Sequence, residues 1–145
     1  MHRRAFTLAA LAQLGLGAVA SGDPMHRPIN PTGLSYAEAH EVTNPKRLVF
    51  ISGQVPEAPD GTLPTAFKDQ CRMVWRNIQA QLTAADMTLD DLAKITVFLS
   101  DRRYRHEHYE VRKEVLGDRA PAMTIIITGI YDERWLLEIE AIAAT

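Results

Sequence analysis

With 145 residues, 16 Lys+Arg against 18 Asp+Glu and a formal net charge of -2, the chain is sized for one domain with a core of its own. Its basic residues are scattered rather than gathered into a stripe, which argues against nucleic acid as a partner. The single cysteine, Cys71, excludes an internal disulfide, and its place on the apolar face of an expected helix reads as a buried structural thiol.

The chain opens on Met1-His2-Arg3-Arg4, continues as an apolar run from Ala5 to Ala20 broken by Gln13, and offers Ala18-Val19-Ala20 as a small-residue cleavage site. The pattern predicts a signal peptide over 1–20 whose paired arginines are similar to a twin-arginine export signal, giving an exported, periplasmic product. The apolar run is shorter than the ~20 residues that span a bilayer, so no membrane anchor is expected after cleavage. Translation from Met25 is the alternative, with a cytoplasmic product. Residues 21–34, rich in Pro, Gly, Asn and Ser without an apolar period, read as an extended arm before a single domain at 35–145.

Within that domain Tyr36 to Val42 is a first candidate strand, and Pro45-Lys46 turns the chain into the β-prone run Leu48-Val49-Phe50-Ile51. The run ends in Ser52-Gly53-Gln54, where Gly53 allows either a simple bend or a close approach that a side chain would block. Thr65 is a plausible N-cap for a helix on which Phe67, Cys71, Val74, Trp75, Ile78 and Leu82 form one apolar stripe. A short turn at Leu89-Asp90-Asp91-Leu92 leads into a strand from Lys94 to Leu99. A second helix follows, with Tyr104, His108, Val111 and Val115 on its inner side and Gly117 as its stop. His106-Glu107-His108 does not make a metal site, because residues two apart on a helix face different ways; no metal and no cofactor are expected.

The last two runs, Met123 to Thr128 and Trp135 to Ala143, read as strands of a hairpin joined by Gly129 to Arg134. Alternation puts Leu136, Glu138, Glu140 and Ile142 on one face and Leu137, Ile139 and Ala141 on the other. The carboxylates then look either at solvent or into a cleft where one of them has chemistry to do. The order β, β, α, β, α, β, β suits a two-layer α+β domain with both helices on one face of a mixed sheet. Strands apolar on both sides need cover on the other face, and self-association supplies it most economically.

These elements, with Leu48 to Gln54, Gln70, Asn77, Lys94 to Asp101, Pro121-Ala122 and Glu138 to Ala143, resemble the Rid (YjgF-like) reactive-intermediate deaminases, also called ribonuclease L-PSP-like proteins. The resemblance implies a chorismate-mutase-like fold, a homotrimer with a central barrel-like core, and small-molecule ligand clefts at the subunit interfaces. It also implies roles: Glu138 positioning the attacking water, Tyr36 closing the cleft, and Ser52 and Gly53 lining it. In the branch best known for 2-imino acids, an arginine directly after Pro-Ala holds the substrate carboxylate; here that residue is Met123, and Ile125 stands where a cysteine is frequent. The chain therefore resembles a branch without the clamp. Losing one buried, charged hydrogen bond costs about 1.5 to 3 kcal/mol.

The expected activity is hydrolysis or deamination of an imine, enamine or related electrophile other than the standard 2-imino acid. Glu138 would be the general base, with Tyr36 and the backbone near Gly53 and Thr124 holding the substrate. Met123 and Ile125 would make the pocket more apolar and its ligand less anionic. The alternative is a homotrimer of the same fold that binds a small molecule or a partner without turning it over.

Overall fold

In the computed structural model the described residues are Gly22 and 25–145, so the expected signal peptide lies outside them. Six strands and two helices follow in the order β1 (Met25–Pro31), β2 (Ala37–Thr43), β3 (Leu48–Gln54), α1 (Phe67–Ala84), β4 (Leu92–Leu99), α2 (Arg105–Leu116), β5 (Ala122–Ile127) and β6 (Leu137–Ala144). They form one mixed sheet, β1-β2-β5-β4-β6-β3, in which β5 runs parallel to β2 and β4 and the other neighbours are antiparallel. The α+β class holds. Among the described residues no helix is long and apolar enough to cross a membrane.

The core forms because the periodicities agree. Cys71, Val74, Trp75, Ile78 and Leu82 of α1 are buried against Ile95, Val97 and Leu99 of β4 and Leu137, Ile139 and Ala141 of β6. A large apolar side chain fully buried there contributes roughly 1.5 to 3 kcal/mol. On the other face stand Leu48, Phe50 and Ile126, all exposed, with Phe50 at 73 %.

Three local expectations need correction. Met25–Pro31, read as part of an arm, is a strand paired with β2 along almost its whole length. It takes Pro28 and Pro31 because it is an edge, where one side of the strand needs no ladder donors. The rings of His26 and His40 tie this edge pair back to the carbonyls of Ala144 and Ala120 at 2.9 and 3.0 Å. The last two strands are not a hairpin, since β4 lies between β5 and β6 and pairs with both. Thr65 is not the N-cap of α1; that position is Ala66, which makes no side-chain cap bond.

Candidate functional site

The Glu138 carboxylate is placed by a fault in the sheet. Ile51 pairs with Ala141 and Gln54 with Ile139, so Ser52 and Gly53 together face Glu140 in a β-bulge. Such bulges re-aim side chains and recur beside active sites. A Cβ on Gly53 would stand 1.7 Å from Glu138 Oε1 and 2.7 Å from its Cδ, so the carboxylate occupies the space that the glycine leaves. Of the two readings of Gly53, close approach is the one realised. Among the described residues, the Glu138 carboxylate makes no hydrogen bond or ion pair.

Two amides, Gln70 buried and Asn77 half-buried, hold the chain on either side of this point. Gln70 of α1 donates to the carbonyls of Pro64 and Arg134 at 2.8 and 2.9 Å and accepts from the Leu136 N–H at 2.8 Å. It thereby fixes the entry to β6 two residues before Glu138. Asn77 donates to the carbonyls of Val55 and Glu57 at 2.9 and 3.0 Å, fixing the chain as it leaves the bulge.

A second constellation lies on the helix side of the sheet. Met123 and Ile125 of β5 pair with the fully buried Ile95 and Val97 and so point toward the helices. With Tyr36 and residues of α2 they line a cavity of about 550 Å³. Into it comes a residue the sequence reading passed over, Arg112, only 4 % exposed. Its Nη1 donates to the Met123 Sδ at 3.4 Å and its Nη2 to the Leu34 carbonyl at 3.0 Å, while Nε has no partner. Its guanidinium carbon lies 5.3 and 5.8 Å from the ring centres of Tyr109 and Tyr36. Burial lowers its pKa, yet an arginine remains a cation. The cavity is therefore not the uncharged one that Met123 and Ile125 alone led us to expect.

His108, one turn before Arg112, is wholly buried and neither ring nitrogen has a partner. Burial, and secondarily the Arg112 charge, push its pKa down to about 3, so the ring is neutral near pH 7. The sequence reading placed His108 on the inner stripe of this helix but saw no polar function in it. The signal for Arg112 was its spacing, four residues after His108 and one after Val111.

The structure does not unite all the expected site residues within one chain. Tyr36, Met123 and Ile125 share the helix-side cavity. Ser52, Gly53 and Glu138 meet at the bulge, and Glu138 pairs across the sheet with Phe98 on the opposite face from Met123. Thr124 also lies on that opposite face, where its hydroxyl accepts from Lys94 Nζ at 2.6 Å. Arg134 reaches neither group: it is exposed and held by Asp132 at 2.7 Å, a contact that brings the Asp132 carboxyl down to about 2. His106 Nε2 lies 3.1 Å from a Glu110 carboxylate oxygen, and among the described residues no three metal-ligating side chains cluster. Burial pushes the Cys71 thiol up to about 12, which keeps it protonated and unreactive.

Comparison with known proteins bears on the family and the fold. The endoribonuclease L-PSP family model matches residues 31–145. A RutC family protein of Pyrococcus horikoshii is 37% identical over 119 residues, covering 81% of this chain and 89% of its own. Among solved structures, Escherichia coli TdcF with bound serine superposes with a TM-score of 0.64 at 31% identity, covering 76% of this chain and 87% of its own. The Rid protein YyfB of Yersinia pestis reaches 0.73 at 22% identity, over 83% of this chain and 98% of its own, which speaks to the fold. With its sheet order, its bulge-seated glutamate and these relatives taken together, the chain belongs to the endoribonuclease L-PSP, or Rid, family of reactive-intermediate deaminases.

Proposed function

We propose that the protein hydrolyses the C=N bond of a small imine, or of the enamine that tautomerises to it, in a cleft shared by two copies of the chain in a homotrimer. The observation that carries this reading is the Glu138 carboxylate lying over Gly53 with no partner of its own. A carboxylate so placed is free to hold a water. In the reaction Glu138 takes a proton from that water as its oxygen bonds to the imine carbon, and the imine nitrogen gains a proton. The resulting carbinolamine collapses to a carbonyl compound and ammonia, so water is the only co-reactant.

Packing three copies through the open face would cover Leu48, Phe50 and Ile126, and would let the bulge of one copy meet the Tyr36 side of the next. Tyr36 would close the cleft, Ser52, Gly53 and the Thr124 backbone would line it, and Met123 and Ile125 would form its apolar wall. Because Met123 stands where the best-known branch carries its arginine, the substrate is not gripped from β5 as a 2-imino acid is there.

A second reading, binding without turnover, is favoured by the TdcF structure, whose bound serine is an amino acid and not an imine. Ammonia release from imines generated in situ, neutral ones by an amine oxidase and carboxylated ones by an amino-acid oxidase, separates the two readings, turnover of either kind counting as hydrolysis. The purified full chain should accelerate release, and Glu138→Gln should lower the rate about 10²- to 10⁴-fold. A Glu138→Gln rate equal to wild type would remove Glu138 as the base, and no acceleration by wild type would leave only binding.

A further inference from the structure

Arg112 sits on the inner stripe of α2 among His108, Val111 and Leu116, where an apolar side chain is the ordinary occupant. A guanidinium carries five N–H donors, and here the acceptors it meets are one backbone carbonyl and one thioether, the latter a weak acceptor. Among the described residues no carboxylate pairs with it, and no Asp or Glu lines the cavity it enters. The rim adds Arg105 and His106, and the Glu110 carboxylate that faces His106 is engaged by Lys68 as well. A buried cation without a counter-ion is costly unless something anionic completes it.

The surroundings suit a small guest. A volume of about 550 Å³ fits a metabolite of a few heavy atoms to drug size. The phenol rings of Tyr36 and Tyr109 flank the guanidinium, and behind it the buried His108 ring has no hydrogen-bond partner on either nitrogen. Over the Nη1 lies Met123, an unbranched side chain with several rotatable bonds that can leave without moving the strand.

We propose that this cavity is a carboxylate-binding site in which Arg112, presented by helix α2 rather than strand β5, grips the carboxylate of a small ligand once the Met123 side chain swings off it. The planar fork of the guanidinium matches the two carboxylate oxygens, so the grip is bidentate and oriented. The inference deepens the imine-hydrolase reading, and it rests on that reading only in taking the ligand to be the substrate. The substrate is then a carboxylate-bearing imine or enamine held from the helix side.

Calorimetric binding of pyruvate and of its neutral amide, pyruvamide, to the full chain tests the site without turnover. Wild type should prefer pyruvate by about tenfold or more, Arg112→Lys should weaken pyruvate binding by about tenfold, and Arg112→Met should erase the preference. Where Arg112→Met does not fold, wild type and Arg112→Lys decide the matter. Equal binding of the two probes to wild type, or an Arg112→Lys protein that binds pyruvate as wild type does, would overturn the proposal. Glu138-dependent hydrolysis of neutral and carboxylated imines at equal rates would overturn it too while leaving the hydrolase reading intact. Selective pyruvate binding without imine turnover would support the carboxylate site and sink the hydrolase reading instead.

Discussion

The bulge at Ser52-Gly53 and the cavity beneath α2 are opposites. The first presents an acid that no cation pairs with, on the face of the sheet the helices leave bare; the second buries a cation that no described acid pairs with, on the face they cover. Each half is chemically incomplete, and the sheet between them keeps them apart in one chain. A reaction needing both a base and an anchor for its substrate therefore needs a second copy to bring the halves together.

Moving the cation is the largest perturbation of this contrast. Met123→Arg places a second guanidinium against Arg112, and two like charges in a half-buried cavity should lower stability by about 3 kcal/mol, read from the denaturation midpoint. Combining it with Arg112→Met returns the cavity to one cation and should recover most of that loss. Filling the bulge comes next. The nearest atoms to a new Cβ on Gly53 belong to the flexible end of Glu138, so Gly53→Ala should displace the carboxylate and lower the rate roughly a hundredfold. The fold itself should be almost unaffected, as thermal unfolding would show.

The smallest of these effects is a pH dependence confined to the α2 side. His108 has its pKa depressed from the ordinary 6.5 to about 3 by burial, so below pH 6.5 the unfolded chain takes up a proton that the folded chain refuses. Its stabilisation is complete above pH 6.5 and is lost as the pH falls toward 3. By pH 5 the loss should be about 2 kcal/mol, measured by urea unfolding at pH 7 and 5. His108→Phe should flatten that slope, whereas an unchanged slope would show that the buried histidine is not its source.

The bulge half was open to sequence reading and the cavity half was not. Strict alternation in β6 announced the Glu138 face, and Gly53 at the end of a β-prone run left a close approach open beside a simple bend, because both signals are local. Arg112 was hidden by the rule that charged residues on an amphipathic helix face water. The inner stripe actually runs through His108, Val111, Arg112 and Leu116, rotated from the Tyr104, His108, Val111, Val115 stripe by the preference for apolar residues alone. The groups that tolerate a cation there, the Leu34 carbonyl, the Met123 thioether and the Tyr36 ring, meet it only in the tertiary fold. The edge strand β1 escaped for a similar reason, since Pro28 and Pro31 forbid a central strand but not an outer one.

The shared cleft is tested most directly by mixing two impaired proteins. Glu138→Gln lacks the base and Arg112→Lys lacks the oriented grip, so below saturation neither alone should hydrolyse a carboxylated imine at more than about a tenth of the wild-type rate. Unfolded together and refolded as mixed trimers, they should regain roughly a quarter of wild-type activity, because one interface in four then pairs an intact bulge with an intact cavity. A mixture no more active than its parents would contradict the account, placing both halves of the site within one copy or leaving them chemically unconnected.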